Sequence, residues 1–416
     1  MRLGVADKVS KALRPGALRA KVLPYLWYYS GMAALTALAF RARPVRRGKI
    51  VFNNFHGRGF GDHQKYIALE LLRRGAPVEM VWLAEDPEKV RGEVPAAVRV
   101  AKYSPLTAIR EMSTAQFWCS NQSFDAFVLW GLSKRPGQRY IQTFHGSLGI
   151  KRVGQDRPTD GSVQLWLKIL RRDAEMTDYL ISNATWESEL VYRSRFFGFG
   201  ECMLFGHPRN DVFFRDGSET RLRVRRELGV GEDERIVLYA PTHRPDRRWG
   251  VIDGSLVALA GRFAARFGGR WRFAVRVHPN LAKLSPGAGL EDGVVDATLY
   301  PDIQDLLVAS DALISDYSSC MFDFMLSRRP VFVYTPDIAE YERGRGFYYP
   351  MSETPFPVAK TEEALAANIA AFDEAKYREG VESFLEGKGC VEDGHATERV
   401  CDLIEKTMNA TAGRGT

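Results

Sequence analysis

The sequence predicts a doubly wound α/β chain, with two parallel-sheet domains facing one another across a cleft. Three observations carry this. Short apolar runs alternate with amphipathic stretches in two successive series, a turn-rich charged stretch separates the series, and several runs end on histidine, hydroxyl or acidic residues. At 416 residues, with 45% hydrophobic and 12% aromatic side chains, the chain can bury a large core and is long enough for two domains.

The N-terminal end differs from the rest. Eleven Lys and Arg stand in residues 1–49 against one acid, Asp7, so the +7 net charge arises here; the other 47 basic and 50 acidic residues leave the remainder at −3. A slightly acidic globular part, with its aromatics mainly in apolar runs, argues against a nucleic-acid binder. Residues 22–40, "VLPYLWYYSGMAALTALAF", are uncharged, carry Trp27, Tyr28 and Tyr29 near their start and have basic clusters on both sides. Aromatic rings and flanking cations suit the headgroup zone of an anionic membrane. The stretch is barely long enough to span a bilayer, Pro24 and Gly31 interrupt it, and no small-residue cleavage site follows. The expectation is a helical membrane-associating segment over residues 1–48 that lies on the surface, with a true span or a helix packed on the protein's own core as alternatives.

From residue 49 the first series runs in order. "KIVFNNF" (49–55) reads as a buried strand, "HQKYIALELLRRG" (63–75) as a helix ended by Gly75, and "VEMVWLA" (78–84) as the next strand. "AQFWCSN" (115–121), "RYIQTF" (139–144) and "DYLISN" (178–183) continue it. Turn residues and a charged helix fill 205–234, a crossover. The second series has the strand "ERIVLYAPT" (234–242), a helix around 254–267, the strand "RFAVRVHP" (272–279), then "DLLVASDALISD" (305–316) and "RPVFVYT" (329–335). The expected division is 1–48, an N-terminal domain 49–210, a crossover 211–234, a C-terminal domain 235–390, and a helix and tail 391–416.

Five scattered cysteines without CxxC spacing suggest neither a disulfide framework nor a zinc site, and fit a reducing cytoplasm. There is no GxxxxGK[ST], HExxH, GxSxG or DxD, so no metal site or cofactor is expected. An enzyme of this kind that handled diphosphates would have to neutralise charge with His, Arg, hydroxyls and helix ends.

Such residues stand at strand ends. In "YIQTFHGSLGIKRVG" (140–154) a β-type run stops at His145, a base or a packed imidazole. In "LISDYSSCMFDFML" (313–326) an apolar strand ends at Ser315 and Asp316, and a helix follows Ser318 and Ser319. Ser318 and Ser319 are candidate phosphate ligands at a helix N-terminus, against ordinary capping by Asp316 or a serine. "RVHPN" (276–280) puts Arg276 and His278 on one side of a strand that Pro279 stops, at the edge where open α/β sheets bind ligands. Thr242, His243 and Arg244 follow another strand end. Arg209, in the turn cluster "GHPRND" (206–211), could reach an anion or bridge the domains. The glycines of "HGRGFGD" (56–62) lack dinucleotide-motif spacing and read as a tight loop against the cleft.

Taken in order, "YIQTFHGSLGIKR", "GHPRND", "LYAPTHR", "RVHP" and the stretch 302–350 resemble the CDP-glycerol glycerophosphotransferase family, which includes teichoic acid primases and polymerases. The resemblance runs from about residue 49 to "EDGHATERV" (392–400). It implies a GT-B fold of two Rossmann-like domains, and transfer of glycerol phosphate from CDP-glycerol to a membrane-associated glycan, lipid-linked or polyol-phosphate acceptor with release of CMP. It further implies residence on the cytoplasmic membrane face, held there peripherally. His145 matches the family's proposed general base, and His278, Ser318 and Ser319 match positions that hold the donor pyrophosphate. Arg276, Pro279, Asp316, Thr242 and Arg209 are expected on the donor side with them, and Gly146, Ser147 and Lys151 on the acceptor side. Where the family commonly has Trp-His-Gly-Thr-Pro-Leu-Lys, this chain reads Phe144-His145-Gly146-Ser147-Leu148-Gly149-Ile150-Lys151, a departure expected to bear on acceptor choice. The alternative is a CDP-ribitol or other CDP-alditol donor, or a nucleotide sugar, on the same fold.

Overall fold

The structure is a computed structural model that describes residues 43–129, 131–158, 161–242, 252, 254–277 and 290–410. Among these, thirteen strands form two sheets in which every neighbouring pair runs parallel. The first holds β1 (Arg46–Asn53), β2 (Glu79–Ala84), β3 (Arg99–Lys102), β4 (Ala115–Ser120), β5 (Arg139–Gln142), β6 (Tyr179–Ser182) and β7 (Glu201–Leu204). The second holds β8 (Glu234–Tyr239), β9 (Arg270–Val275), β10 (Val295–Asp296), β11 (Ala312–Ser315), β12 (Val331–Tyr334) and β13 (Val358–Ala359).

The first sheet is ordered β3-β2-β1-β4-β5-β6-β7 and the second β10-β9-β8-β11-β12-β13. Each starts from its first strand, winds outward on one side, then returns to build the other. This is the doubly wound order, and it opens a crevice beyond the carboxyl ends of β1 and β4 in one sheet and of β8 and β11 in the other. The apolar runs are buried on both faces: Ile50, Val51 and Phe52 of β1 and Phe117, Trp118 and Cys119 of β4 are all fully buried. That is what parallel strands covered by helices on both sides require.

The sequence differs from the structure at several ends. β1 begins at Arg46, inside the stretch assigned to the leader. β3 and β7 went unread because both are edge strands with polar, partly exposed sequences, "RVAK" and "ECML". The run 305–316 divides into a helix, Ile303–Ala309, and β11, since Ser310 and Asp311 break it. Residues 1–42 of the expected membrane-associating segment 1–48, together with His243, Arg244, His278 and Pro279, lie outside the described residues. Among the described residues no helix is long and apolar enough to cross a membrane.

After the second sheet the chain returns to the first domain. Cys390 pairs with Ala184 in an antiparallel bridge, and the Val391 N–H donates to the Asn183 carbonyl at 2.9 Å. The C-terminal helix Ala396–Ala410 then buries Val400, Cys401, Ile404 and Met408 in the core formed by β1 and the helix Asp62–Arg73. Asp211 caps it, accepting from the Ala396 and Thr397 N–H groups at 3.0 and 2.8 Å. Arg74 ties its middle turns through Asp402 and Glu405 at 2.6 and 2.7 Å.

Candidate active site

His145 stands just beyond β5, at the crevice end of the first sheet. Its Nδ1 is 2.8 Å from the carbonyl oxygen of Asn121, which follows β4. A carbonyl oxygen only accepts, so Nδ1 carries the hydrogen and Nε2 is left with a lone pair. Phe55 and Phe144 hold the ring by edge and tilted contacts, with centroids 5.4 and 4.7 Å away. Asn121 is held in turn: its Nδ2 donates to Asn54 Oδ1 at 2.8 Å and its Oδ1 accepts from the Phe55 N–H at 2.9 Å. Phe55, His56 and Phe144 all have positive φ, at 41°, 60° and 54°. Non-glycine residues in that region concentrate where function holds the backbone in place. Asn54 and Phe55, which lead into the loop read as tight, thus wall the His145 ring.

Burial pushes the His145 imidazole from 6.5 down to about 4; the Asn121 carbonyl and Asp62 favour its protonation, and Arg209 and Arg195 oppose it. The ring is therefore neutral across the physiological range, as a proton acceptor must be. The acid limb of kcat/KM is expected well below 6.5, near 4, so that turnover persists at pH 5.5; a limb close to 6.5 in a profile from pH 4.5 to 8 contradicts this environment.

Across the crevice, Asp316 follows β11 and Thr242 lies beyond β8. The Thr242 N–H donates to both Asp316 oxygens at 2.9 and 3.0 Å, its hydroxyl to Oδ1 at 2.6 Å, and the Tyr317 N–H to Oδ1 at 2.5 Å. Asp316 and Thr242, expected on the donor side, staple the two strand ends that flank the crevice. Ser318 and Ser319 remain half-buried at its mouth, at the start of the short helix Cys320–Phe324, with the Ser318 hydroxyl 3.4 Å from the Cys320 N–H. Arg276 leaves β9 on the same edge, and its Nη1 donates to the Tyr300 carbonyl at 2.6 Å. Among the described residues no carboxylate pairs with it.

The loop after His145 crosses the cleft. Leu148 and Ile150, 1% and 0% exposed, are buried in the core of the second domain. The Tyr348 N–H donates to the Ile150 carbonyl at 2.7 Å, the Arg152 N–H to the Gly346 carbonyl at 3.0 Å, and Lys151 bridges Phe347. A Cβ on Gly149 would sit 3.8 Å from Ser319 Cβ. The stretch that departs from the common family pattern is therefore an inter-domain packing element.

Other assignments shift with it. Ser147, expected to face the acceptor, is 1% exposed and accepts from Asn183 Nδ2 at 3.0 Å. Gly146 is pressed against the Phe144 ring, 2.7 Å from where its Cβ would be, so any side chain there would displace that ring. Lys151, expected on the acceptor side, lies among groups of the second domain: burial and Arg345 push its ammonium down to about 8, while Asp316 and Cys320 oppose the shift. Arg209, expected on the donor, is held by carboxylates: its Nη1 lies 3.2 Å from Asp62 and its Nη2 3.0 Å from Asp323. It forms the domain bridge that was its other reading. Among the described residues no cluster of three or more His, Cys, Asp or Glu could hold a metal ion.

Sequence reasoning missed Asn121, Asn54, Asp62, Asp323 and Glu392. The first two had a signal, since "FNN" and "CSN" place asparagines at the ends of two strands that become neighbours. The others are joined only by tertiary contacts.

The family described as CDP-glycerol:poly(glycerophosphate) glycerophosphotransferase matches residues 35–406. The teichoic acid poly(glycerol phosphate) polymerase of Staphylococcus epidermidis is 29% identical over 377 residues, 88% of this chain and 51% of that one. The polymerase of the same description from Bacillus spizizenii is 26% identical over 401 residues, 93% of this chain and 100% of its own. The teichoic acid glycerol-phosphate transferase of Staphylococcus aureus is 26% identical over 391 residues, covering 89% and 96%. This chain thus spans about half of the Staphylococcus epidermidis enzyme and of a Bacillus subtilis polymerase of which it covers 49%, and nearly the whole of the other two. A solved structure of the wall teichoic acid polymerase TagF superposes with TM-score 0.79 at 28% identity, over 92% of this chain and 95% of that one. The match supports the GT-B arrangement of the two sheets.

Proposed function

The chain belongs to the CDP-glycerol:poly(glycerophosphate) glycerophosphotransferase family, and on that premise we propose that it transfers glycerol phosphate from CDP-glycerol to a hydroxyl of a teichoic acid-type acceptor, releasing CMP. One observation carries the reading. The loop that begins at His145 runs to Gly149, where an added Cβ would lie 3.8 Å from Ser319 Cβ at the start of the second domain's short helix, which supports a proton acceptor and a group of anion ligands lining one cleft.

The acceptor oxygen attacks the phosphorus that bears glycerol. A bond forms between that oxygen and phosphorus, the bond from phosphorus to the bridging oxygen breaks, and the electron pair leaves with CMP. His145 Nε2 takes the acceptor proton, a role that contributes about 10²–10⁴ in rate. Alignment and charge stabilisation are the protein's other tasks in phosphoryl transfer. Arg276, Lys151 and the Ser318–Ser319 turn meet the charge that develops on the phosphate oxygens, with His278 and Pro279 as further donor ligands in the adjoining segment. Lys151→Met is expected to raise KM for CDP-glycerol roughly tenfold, since charge-assisted contacts are worth about 1.5–3 kcal/mol; an unchanged KM would place Lys151 outside the donor site.

The acceptor is lipid-linked or polymeric, presented at the cytoplasmic face of the cell membrane, where the basic, aromatic-rich leader 1–48 would hold the protein peripherally. A ribitol donor is the second reading, because a teichoic acid ribitol-phosphate primase of Bacillus spizizenii is 29% identical over 294 residues. Incubation with CDP-glycerol and CDP-ribitol side by side, with CMP followed by chromatography, tests the proposal. CMP from CDP-glycerol supports it, and CMP from CDP-ribitol alone overturns the donor assignment.

A further inference from the structure

Three contacts from three parts of the chain meet on one guanidinium. Arg209 lies in the turn Pro208–Phe214 between the two sheets and is 5% exposed. Its Nη1 donates to Asp62 Oδ1 and Oδ2 at 3.3 and 3.2 Å and to the carbonyl oxygen of His145 at 3.1 Å, while Nη2 lies 3.0 Å from Asp323 Oδ2. Asp62 opens the helix Asp62–Arg73 of the first domain in a left-handed conformation, φ 55°. Asp323 sits four residues beyond Ser319, in the helix that Ser319 precedes.

Neutralising a buried cation needs one carboxylate, and here there are two, one from each domain. A further donor is spent on the main chain of the base itself. The His145 ring is already fixed at Nδ1 by Asn121, so a second hold on its carbonyl fixes the peptide from which the crossing loop departs toward Gly149 and Ser319. A planar fork of N–H groups holds these acceptors in fixed directions, whereas an ammonium is a compact charge on a flexible stem.

We propose that Arg209 is a positioning residue, which sets the loop bearing His145 in register with the donor-side helix through Asp62, Asp323 and the His145 carbonyl. This rests on the reading of the reaction given above. A buried ion pair that served stability alone would have no reason to engage the base, and its loss would weaken donor binding and turnover together.

The test uses the full chain with Arg209→Lys and Asp323→Asn. Turnover is expected to fall about 100-fold in Arg209→Lys, the order of loss that a misplacement near 1 Å produces, with the Kd for CDP-glycerol by calorimetry changed less than about threefold. A second readout does not depend on the reaction. In a Cys320→Ser background, Gly149→Cys with Ser319→Cys should form a disulfide, since a 3.8 Å Cβ separation suits one; adding Arg209→Lys should lower its yield. Turnover and crosslinking at wild-type levels overturn the proposal, as does donor affinity falling in step with kcat. Should Arg209→Lys lose its far-UV circular dichroism, Asp323→Asn decides, because it keeps the Asp62 and His145 contacts: slower turnover and weaker crosslinking support the proposal, and wild-type values in both overturn it. Should the unaltered protein release no CMP from CDP-glycerol, the reaction assignment fails while the crosslink still decides the clamp.

Discussion

Replacing His145 by Ala is expected to lower kcat about 10²–10⁴-fold while CDP-glycerol binds within about threefold of its normal affinity. The split follows from where the two tasks lie. Nε2 is the free acceptor because Nδ1 is committed to the Asn121 carbonyl at 2.8 Å, whereas the candidate donor ligands Arg276, Ser318 and Ser319 sit on strand ends and a helix start of the other sheet. Removing the imidazole takes away the proton acceptor and leaves those ligands in place. Steady-state kinetics with calorimetry of the same variant checks it. Unchanged turnover would remove the base assignment, and an affinity loss matching the loss of kcat would make His145 a donor ligand.

The second large effect concerns stability. Glu392 stands where the chain returns from the second domain to the first, and it is buried. Its Oε1 accepts from Asn183 Nδ2 and Asn210 Nδ2 at 3.1 and 2.7 Å, and its Oε2 from the His207 N–H at 3.1 Å. Burial pushes the carboxyl up to about 7, against those donors and His207. Glu392→Ala strands several buried donors at about 1–3 kcal/mol each. Asn183 keeps its bond to Ser147, so the total loss is expected near 3–5 kcal/mol, comparable with breaking a buried ion pair. Glu392→Gln, which retains one acceptor oxygen, should lose less than half of that. Urea denaturation followed by circular dichroism measures both, and an Ala variant within about 1 kcal/mol of wild type would show that this junction contributes little.

Much of the fold was legible because its information is local. Apolar runs such as "IVF" and "ALIS" bounded by turn residues mark buried parallel strands without tertiary knowledge, whereas charge counting ended the leader at residue 48, inside β1, because Arg46, Arg47 and Lys49 belong to that strand. The edge strands β3 and β7 lacked that mark, since a partly exposed strand has no continuous apolar run. Site residues were legible as strand-end positions and not as partnerships. "DYSS" announces an anion-binding turn, yet nothing local says that Asp316 is consumed by Thr242, which lies 74 residues earlier. Arg209 carried two readings, donor contact and bridge, and only the distant Asp62 and Asp323 decide between them. Leu148 and Ile150 looked like loop residues beside a histidine, and become core residues only once a second domain covers them.

The central claim is that His145 and the Ser318–Ser319 turn serve one transfer of glycerol phosphate. The most direct measurement is mass spectrometry of the products formed from CDP-glycerol and a lipid-linked teichoic acid acceptor, with CMP quantified in the same reaction. The account predicts acceptor extended by glycerol phosphate, one CMP for each unit added. Free CDP, or CMP released without extension of the acceptor, would contradict it.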